Sequence, residues 1–343
     1  MVDVKMHRLE RQWHTVGAWH WLLIPLSWLF AAASALRRLL YRLHLLPSRR
    51  LSVPVIVIGN ISVGGTGKTP LVIWLARQLS ARGWHPGIIS RGYGGSADTE
   101  QHVVAASDPD LVGDEPLLLA QTLTCPVWIG RNRPAAGQAL LAAHPGTDII
   151  ISDDGLQHLA LARDYEIAVV DGARGFGNGH LLPAGPLREP WTRLKRVDAV
   201  VVNQTGQNGQ SETATAHLPT LQNSCAMRFA GSIFRNLKFP EKSAAAADFY
   251  GHTVHAIAGI GHPQRFFDQL AAMGLQCIGH AFPDHHKYLA RELNFPGILI
   301  MTEKDAVKCQ AIATEQMWVL PVQAELDPGL MPHLLAKLGN RHG

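Results

Sequence analysis

The chain holds only four cysteines in 343 residues, Cys125, Cys225, Cys277 and Cys309, and none belongs to a C-x-x-C pair. That spacing argues against a zinc site built on paired thiols and against a disulfide framework, and it fits a reducing compartment. No internal repeat is visible. Net positive charge is scarce beyond the first fifty residues. Those hold eight Lys and Arg against Asp3 and Glu10, more than the whole chain's net charge of +4. The remainder is slightly acidic, so no nucleic-acid-binding face is expected. The eighteen His residues are scattered and read mostly as surface or core fillers. With 47% hydrophobic residues, the chain is long and apolar enough for two domains.

Charge is also missing locally. No Asp, Glu, Lys or Arg occurs across the 22 residues 15–36, TVGAWHWLLIPLSWLFAAASAL. This length suffices to cross a hydrocarbon core of about 30 Å. His20, Pro25 and Ser27 weaken that reading, while Trp19, Trp21 and Trp28 suit the headgroup boundary. Arg37, Arg38, Arg42, Arg49 and Arg50 follow, a flank that holds the downstream chain on the cytoplasmic side beside anionic lipid. A cleaved signal peptide is not expected, since the unpaired cysteines fit a reducing compartment. Spanning the bilayer, lying in its interface and packing on the protein itself all remain open.

Directly after the apolar run 53–58 comes Gly59-Asn60-Ile61-Ser62-Val63-Gly64-Gly65-Thr66-Gly67-Lys68-Thr69. A buried strand, a glycine turn and a helix opening on Gly-Lys-Thr make a phosphate-gripping loop. Its backbone N–H groups turn onto the anion, and the helix presents its positive end. Residues 62–69 are therefore the expected nucleotide-binding loop. Lys68 is expected to reach the β/γ-phosphates and the Thr69 hydroxyl to ligate Mg²⁺. Ser62 stands where the general pattern has glycine. The apolar spacing of Leu71, Trp74, Leu75 and Leu79 supplies the helix that a bare motif lacks.

Short β-branched runs at 86–90, 126–129, 148–152, 166–170 and 198–202 alternate with helical or loop segments. They predict a parallel sheet covered on both faces, whose ligands lie at the carboxyl ends of the strands. Several runs end in chemistry: Gly59, Arg91, the pair Asp153 and Asp154, and Asp171. Residues 203–217 read as an exposed linker. A second α/β set follows, with strands near 253–260 and 298–301 around a helix at 263–273.

Asp153 closes a hydrophobic strand, the pattern that holds nucleotide-bound Mg²⁺. Asp154 beside it would repel unless a cation lay between them, although an ordinary helix-capping pair fits too. Asp114, in Gly113-Asp114-Glu115-Pro116, is either the group that orients an attacking hydroxyl or an acid favoured by a helix N-terminus. His285, in Phe282-Pro283-Asp284-His285-His286, is either a proton-handling partner or a surface histidine. Adjacent histidines on a strand point to opposite faces, which disfavours joint metal ligation. In the stiff loop 182–190, Arg188 suits charge on a transferred phosphoryl and Glu189 suits Mg²⁺. A plain surface ion pair is the competing reading.

Together, VIVIGNISVGGTGKTP, SRGYGG, GDEP, IISDDGLQH, LLPAGPLREP, FPDHHKY and TEKDAVK resemble, in order and over most of the chain, the tetraacyldisaccharide (lipid A) 4′-kinases of Gram-negative bacteria. The resemblance implies a P-loop-type α/β/α core (51–220), a smaller α/β domain (221–343) that closes over the cleft on a slim β linker, and a membrane-associated N-terminal helix (1–50). It implies transfer of the ATP γ-phosphate to the 4′-hydroxyl of an acylated glucosamine disaccharide 1-phosphate, giving lipid IV-A, at the cytoplasmic face of the inner membrane. No obligate protein partner is evident. By motif, Asp114 becomes the catalytic base and His285 its partner across the cleft. Lys68 and Arg188 face the phosphates, and Thr69, Asp153, Asp154 and Glu189 manage Mg²⁺. The arginines after the apolar stretch would suit the lipid's own phosphate. The alternative is a membrane-associated switch ATPase or GTPase. Partition-type ATPases carry a further Lys where this chain has Val63, and residues 302–305 (TEKD) loosely resemble a guanine-recognition segment. A scaffold with a degenerate nucleotide site is a third class, disfavoured by the full set Lys68, Thr69, Asp114 and Asp153.

Overall fold

The computed structural model describes residue 13 and residues 17–204 and 223–339. Of the expected linker, Asn203 closes a strand and residues 205–217 lie outside the described residues. The chain opens with α1 (Ala18–Arg42) and then winds β1 (Val55–Gly59), α2 (Lys68–Ser80), β2 (Pro86–Ser90) and β3 (Gln101–Val103). Next come α3 (Pro109–Val112), α4 (Asp114–Thr122), β4 (Val127–Ile129), α5 (Arg133–Ala143), β5 (Ile149–Ser152), β6 (Tyr165–Asp171) and β7 (Ala199–Asn203). With β8 (Ser224–Ala230) and β15 (Gln323–Leu326), these strands form a nine-stranded sheet of order β15-β8-β7-β6-β1-β5-β2-β4-β3. Its central neighbours all run parallel. Every residue of β1, β2, β5 and β7 is buried. That is why these strands read as continuous apolar runs instead of alternating ones.

The second sheet has six strands in the order β10-β9-β14-β13-β11-β12. They are β9 (Ile233–Asn236), β10 (Ser243–Ala245), β11 (Val254–Ala258), β12 (Cys277–Ala281), β13 (Ile298–Thr302) and β14 (Met317–Leu320). Helices α6 (Pro263–Ala272) and α7 (Glu303–Cys309) belong to this unit. Residues past 220 contribute to both sheets. β8 and β15 pair antiparallel at the edge of the first sheet, and α8 (Leu330–Gly339) packs back on that layer. Met227, Ala324, Leu330, Leu334 and Leu338 are buried in the same core as α2, so apolar burial draws the chain's end home. The second unit is thus an excursion that leaves through β8 and returns through β15.

Two faces distinguish α1. One faces the protein, where Ser27 Oγ donates to the Leu181 carbonyl at 2.8 Å and His20 Nε2 meets Asn178 Nδ2 at 2.8 Å. His20 and Ser27 are buried there, so the polar residues that interrupt the apolar run are the ones docked on the protein. The other face leaves Trp21 (73%), Leu22 (68%), Trp28 (69%) and Leu29 (67%) exposed. Residues His20–Arg42 are long and apolar enough to cross a membrane. A helix buried wholly within the protein is not what is found.

Candidate active site

The loop between β1 and α2 is built by backbone conformation. Gly64 and Gly67 adopt φ of +99° and +91°, which L-side chains rarely tolerate. A Cβ on Gly67 would also lie 2.7 Å from Asn203 Nδ2 and from Phe229 Cζ. Asn203 donates to the Thr66 carbonyl at 3.1 Å, and Arg174 donates to the Gly65 carbonyl at 2.7 Å. Both pull carbonyls outward and so help turn the amides inward. The rigid segment after β6 is fastened to the same loop. Val63 N donates to the Pro186 carbonyl at 2.8 Å, and Arg188 N donates to the Ile61 carbonyl at 2.7 Å. Ser62 bridges Leu187, so the residue standing in place of the usual glycine takes part in this docking.

A cavity of about 840 Å³ opens on this loop, within the range of ligand sites. Residues 63–69 line one side, and Phe30, Ser34, Arg37 and Arg38 of α1 line another. Lys68 Nζ lies 3.4 Å from Asp154 Oδ1, and Arg188 Nη1 lies 3.4 Å from its Oδ2. Burial pushes the Asp154 carboxyl up, but Lys68 and then Arg188 more than offset this, leaving it below the usual carboxylate range. Asp153 is buried and accepts from Ser90 Oγ at 3.3 Å, while its Oδ1 has no hydrogen-bond partner among the described residues. Burial first, then the charges of Glu115 and Asp154, hold its carboxyl well above normal. An orphaned carboxylate oxygen in a cavity of this charge fits a divalent cation, which would lower that pKa again.

Among the described residues, no three His, Cys, Asp or Glu side chains converge into a cage. That suits Mg²⁺, which keeps water and phosphate oxygens as most of its ligands. Thr69 and Asp153 are the groups left available. Glu189 is buried and already engaged: Oε1 accepts from Gln157 at 2.8 Å, and Oε2 lies 3.5 Å from both Arg38 and Arg193. His158, further along the same strand-end turn, is pushed down to about 4 by burial, then by Arg133 and Arg91, so it stays neutral.

Asp114 is the first residue of α4, preceded by Gly113 at φ +88°, so the acid stands at the helix N-terminus. It is 4% exposed. His285 Nδ1 donates to it from 2.9 and 3.0 Å, across from the second unit. The dyad lines the cavity through His285. Burial raises the Asp114 carboxyl, but the His285 hydrogen bond and the Lys304 charge leave it lowered overall. Burial lowers His285, and the Asp114 bond more than reverses that. The two histidines diverge because they sit in a turn where His285 has φ +60°, not on a strand. His286 turns to Glu292 at 3.1 Å instead.

Some contributors carry weak sequence signals. Asp171, noted above only as a strand end, accepts from Arg174 at 2.9 Å and from Arg265 of α6 at 2.5 Å, tying the two units together beside the phosphate loop. Arg37 and Arg38 reach the site from α1, Arg37 donating to the Gln157 carbonyl at 3.0 Å. Tertiary folding alone brings these together. Asp305, the acid of the guanine-like string, is fully buried and accepts from Gly259 N, Tyr288 Oη and Thr302 Oγ1. It pins a loop and has no freedom to meet a base.

The family model described as tetraacyldisaccharide-1-P 4′-kinase matches residues 19–339 of the chain. A tetraacyldisaccharide 4′-kinase of Methylobacillus flagellatus is 51% identical over 332 residues, covering 96% of this chain and 95% of the relative. One from Azoarcus sp. is 54% identical over 335 residues, covering 96% and 95%. Among solved structures, LpxK from Aquifex aeolicus in complex with ATP aligns with a TM-score of 0.77 at 29% identity, over 94% of this chain and 99% of that one.

Proposed function

Since the chain belongs to the tetraacyldisaccharide-1-P 4′-kinase family, we propose that it moves the γ-phosphate of ATP to the 4′-hydroxyl of tetraacyldisaccharide 1-phosphate within the cavity between its two units. The observation that carries this reading is the sharing of one cavity by the phosphate loop (Lys68, Thr69) and the apolar N-terminal helix (Phe30, Arg37, Arg38). A water-soluble acceptor needs no such wall. An acylated sugar does, because its chains must stay in lipid while its hydroxyl meets the nucleotide.

In this mechanism the amides of residues 63–67 and the Lys68 ammonium hold the β- and γ-phosphates. Arg188, fixed beside Asp154, is aimed at charge on the transferring group. Asp114 accepts a hydrogen bond from the 4′-hydroxyl and takes its proton as that oxygen bonds the γ-phosphorus and the bond from the γ-phosphorus to the bridging oxygen breaks, leaving ADP. His285 holds that carboxylate in line and stabilises its charge. Thr69 and Asp153, with Asp154 behind them, would hold Mg²⁺, which supplies charge neutralisation to the phosphates when bound. Glu189 would contact the ion only through water while Arg38 and Arg193 stay on it. Phosphoryl transfer asks for little beyond such positioning and charge. Approach of the second unit completes the site: a Cβ on Gly261 would sit 3.1 Å from Gly65 N, so that unit already backs onto the loop.

The purified protein in detergent, given Mg-ATP labelled at the γ-phosphate, should transfer label to the disaccharide lipid and release little free phosphate without it. Brisk hydrolysis with no lipid present would favour the switch-ATPase reading. The exposed face of α1 is the membrane contact in this proposal, with the basic flank on the cytoplasmic side. Replacing Trp21, Leu22, Trp28 and Leu29 together by Ser removes side chains worth about 1.5–3 kcal/mol each in transfer to lipid. The variant should move from the membrane pellet to the soluble fraction while keeping activity on detergent-dispersed lipid. Undiminished pelleting would place the contact elsewhere.

A further inference from the structure

The TEKD string is left without a nucleotide to read, yet its lysine lies at the most charged point of the interdomain contact. Lys304, second residue of α7, is 16% exposed in its side chain and lines the catalytic cavity. Its Nζ donates to Glu115 Oε1 at 2.9 Å and to Asp284 Oδ1 at 3.0 Å, and lies 4.0 Å from Asp114 Oδ2. Glu115 and Asp114 belong to α4 of the first unit, while Asp284 precedes the dyad histidine in the second. We propose that Lys304 is a positioning residue for phosphoryl transfer: it clamps Glu115 to Asp284 across the cleft and so sets the Asp114–His285 dyad in place and in charge state. This inference rests on the reading of Asp114 as the base.

Three carboxylates meet here, and without a cation between them they would push α4 away from the loop that carries His285. His285 Nε2 itself lies 3.8 Å from Asp284 Oδ1, the same oxygen that accepts from Lys304, so one carboxylate oxygen faces both the dyad and the clamp. The charged groups facing the dyad are Asp114 and Glu115 from α4, Asp284 and His285 after β12, and Lys304 and Lys308 from α7; Tyr93 packs its ring against His285 at 5.1 Å. Burial disfavours the Lys304 charge, but Glu115, Asp114 and Asp284 more than restore it, so the clamp stays cationic throughout the working pH range. Its charge lowers the proton affinity of both Asp114 and His285. Whichever member of the dyad holds the proton, loss of Lys304 moves its titration the same way, upward.

The test compares Lys304→Met and Lys304→Arg in the full-length protein, reading kcat against pH with saturating Mg-ATP and lipid, with melting temperature as the check on folding. Lys304→Met should lose about a hundredfold in kcat, as expected when the reacting groups drift by about an ångström. Its acid limb should move to higher pH, because Asp114 and His285 gain protons more readily. Lys304→Arg keeps the charge and should hold the limb near its original position while recovering part of the rate. A Lys304→Met protein that melts normally and keeps its original acid limb overturns the proposal, whatever its kcat. A merely structural contact would lower the rate evenly across pH. Should Lys304→Met fold poorly, a displaced acid limb in Lys304→Arg would overturn it instead. An inactive Asp114→Asn alongside an unaffected Lys304→Met would sink this inference and leave the base assignment standing; an active Asp114→Asn would sink the base assignment itself.

Discussion

Asp114→Ala should leave the protein folded and able to bind Mg-ATP, yet cut phosphoryl transfer by about 10²–10⁴-fold, the range a general base supplies. The expectation comes from how the carboxylate is held. Burial at 4% exposure works against its charge, and the helix N-terminus, the His285 hydrogen bond and Lys304 work for it. The balance leaves Asp114 below the usual carboxylate range. It is therefore ionised at neutral pH, with both oxygens within hydrogen-bond distance of His285 Nδ1. The sign of the pH dependence follows. A lowered Asp114 contributes stability above its unfolded pKa and loses it as pH falls through its folded value. A raised His285 contributes below its own unfolded pKa and loses it as pH climbs through its folded value. The ion pair across the cleft is strongest between those limits. His285→Ala should cost less than Asp114→Ala, roughly ten- to a thousandfold, because the base survives without its support. Near-normal turnover by Asp114→Ala would remove the base assignment while leaving the kinase class untouched.

How much of this was legible in the sequence depends on distance along the chain. The phosphate loop and the strand ends could be read because each is a local pattern whose parts lie within a dozen residues. β1, β5 and β7 bury every side chain, so apolar runs marked them without an alternation to follow. The dyad was different. Asp114 and His285 are 171 positions apart, and each alone fitted an ordinary helix acid or a surface histidine as well as it fitted a catalytic group. Only the resemblance to a known family joined them before the fold did. Asp171 with Arg265, and Lys304 with Glu115, were invisible for the same reason: their meaning is a meeting between two sheets. The polar interruptions of the N-terminal apolar stretch could be counted from the sequence but not placed on a face. His20 and Ser27 counted against a bilayer-spanning helix, and the structure turns both toward the protein. A hydropathy average sums over both faces of a helix and cannot tell which one a polar residue occupies.

Lys68→Ala should likewise abolish transfer, by about 10²–10³-fold or more, which is the loss from removing one donor to a developing anion. Its mechanism is separable from that of Asp114→Ala. Lys68 is the first residue of α2, set by the left-handed turn at Gly67, and its Nζ sits 3.4 Å from Asp154 Oδ1. In the proposed mechanism the ammonium serves the phosphates, and it also lowers the proton affinity of Asp153 and Asp154. Removing it weakens the grip on ATP and leaves two adjacent carboxylates less compensated, so nucleotide and metal are lost together. ATP that binds only the folded state raises its melting temperature. That rise should shrink sharply in Lys68→Ala and persist in Asp114→Ala, although both proteins are inactive. Lys68→Arg should not rescue, because a planar guanidinium cannot replace a compact point charge inside a glycine loop. An undiminished ATP-induced shift in Lys68→Ala would mean that the backbone amides alone hold the phosphates. The lysine would then act on the transferring group only, and the two variants would fail for reasons on the same side of the reaction.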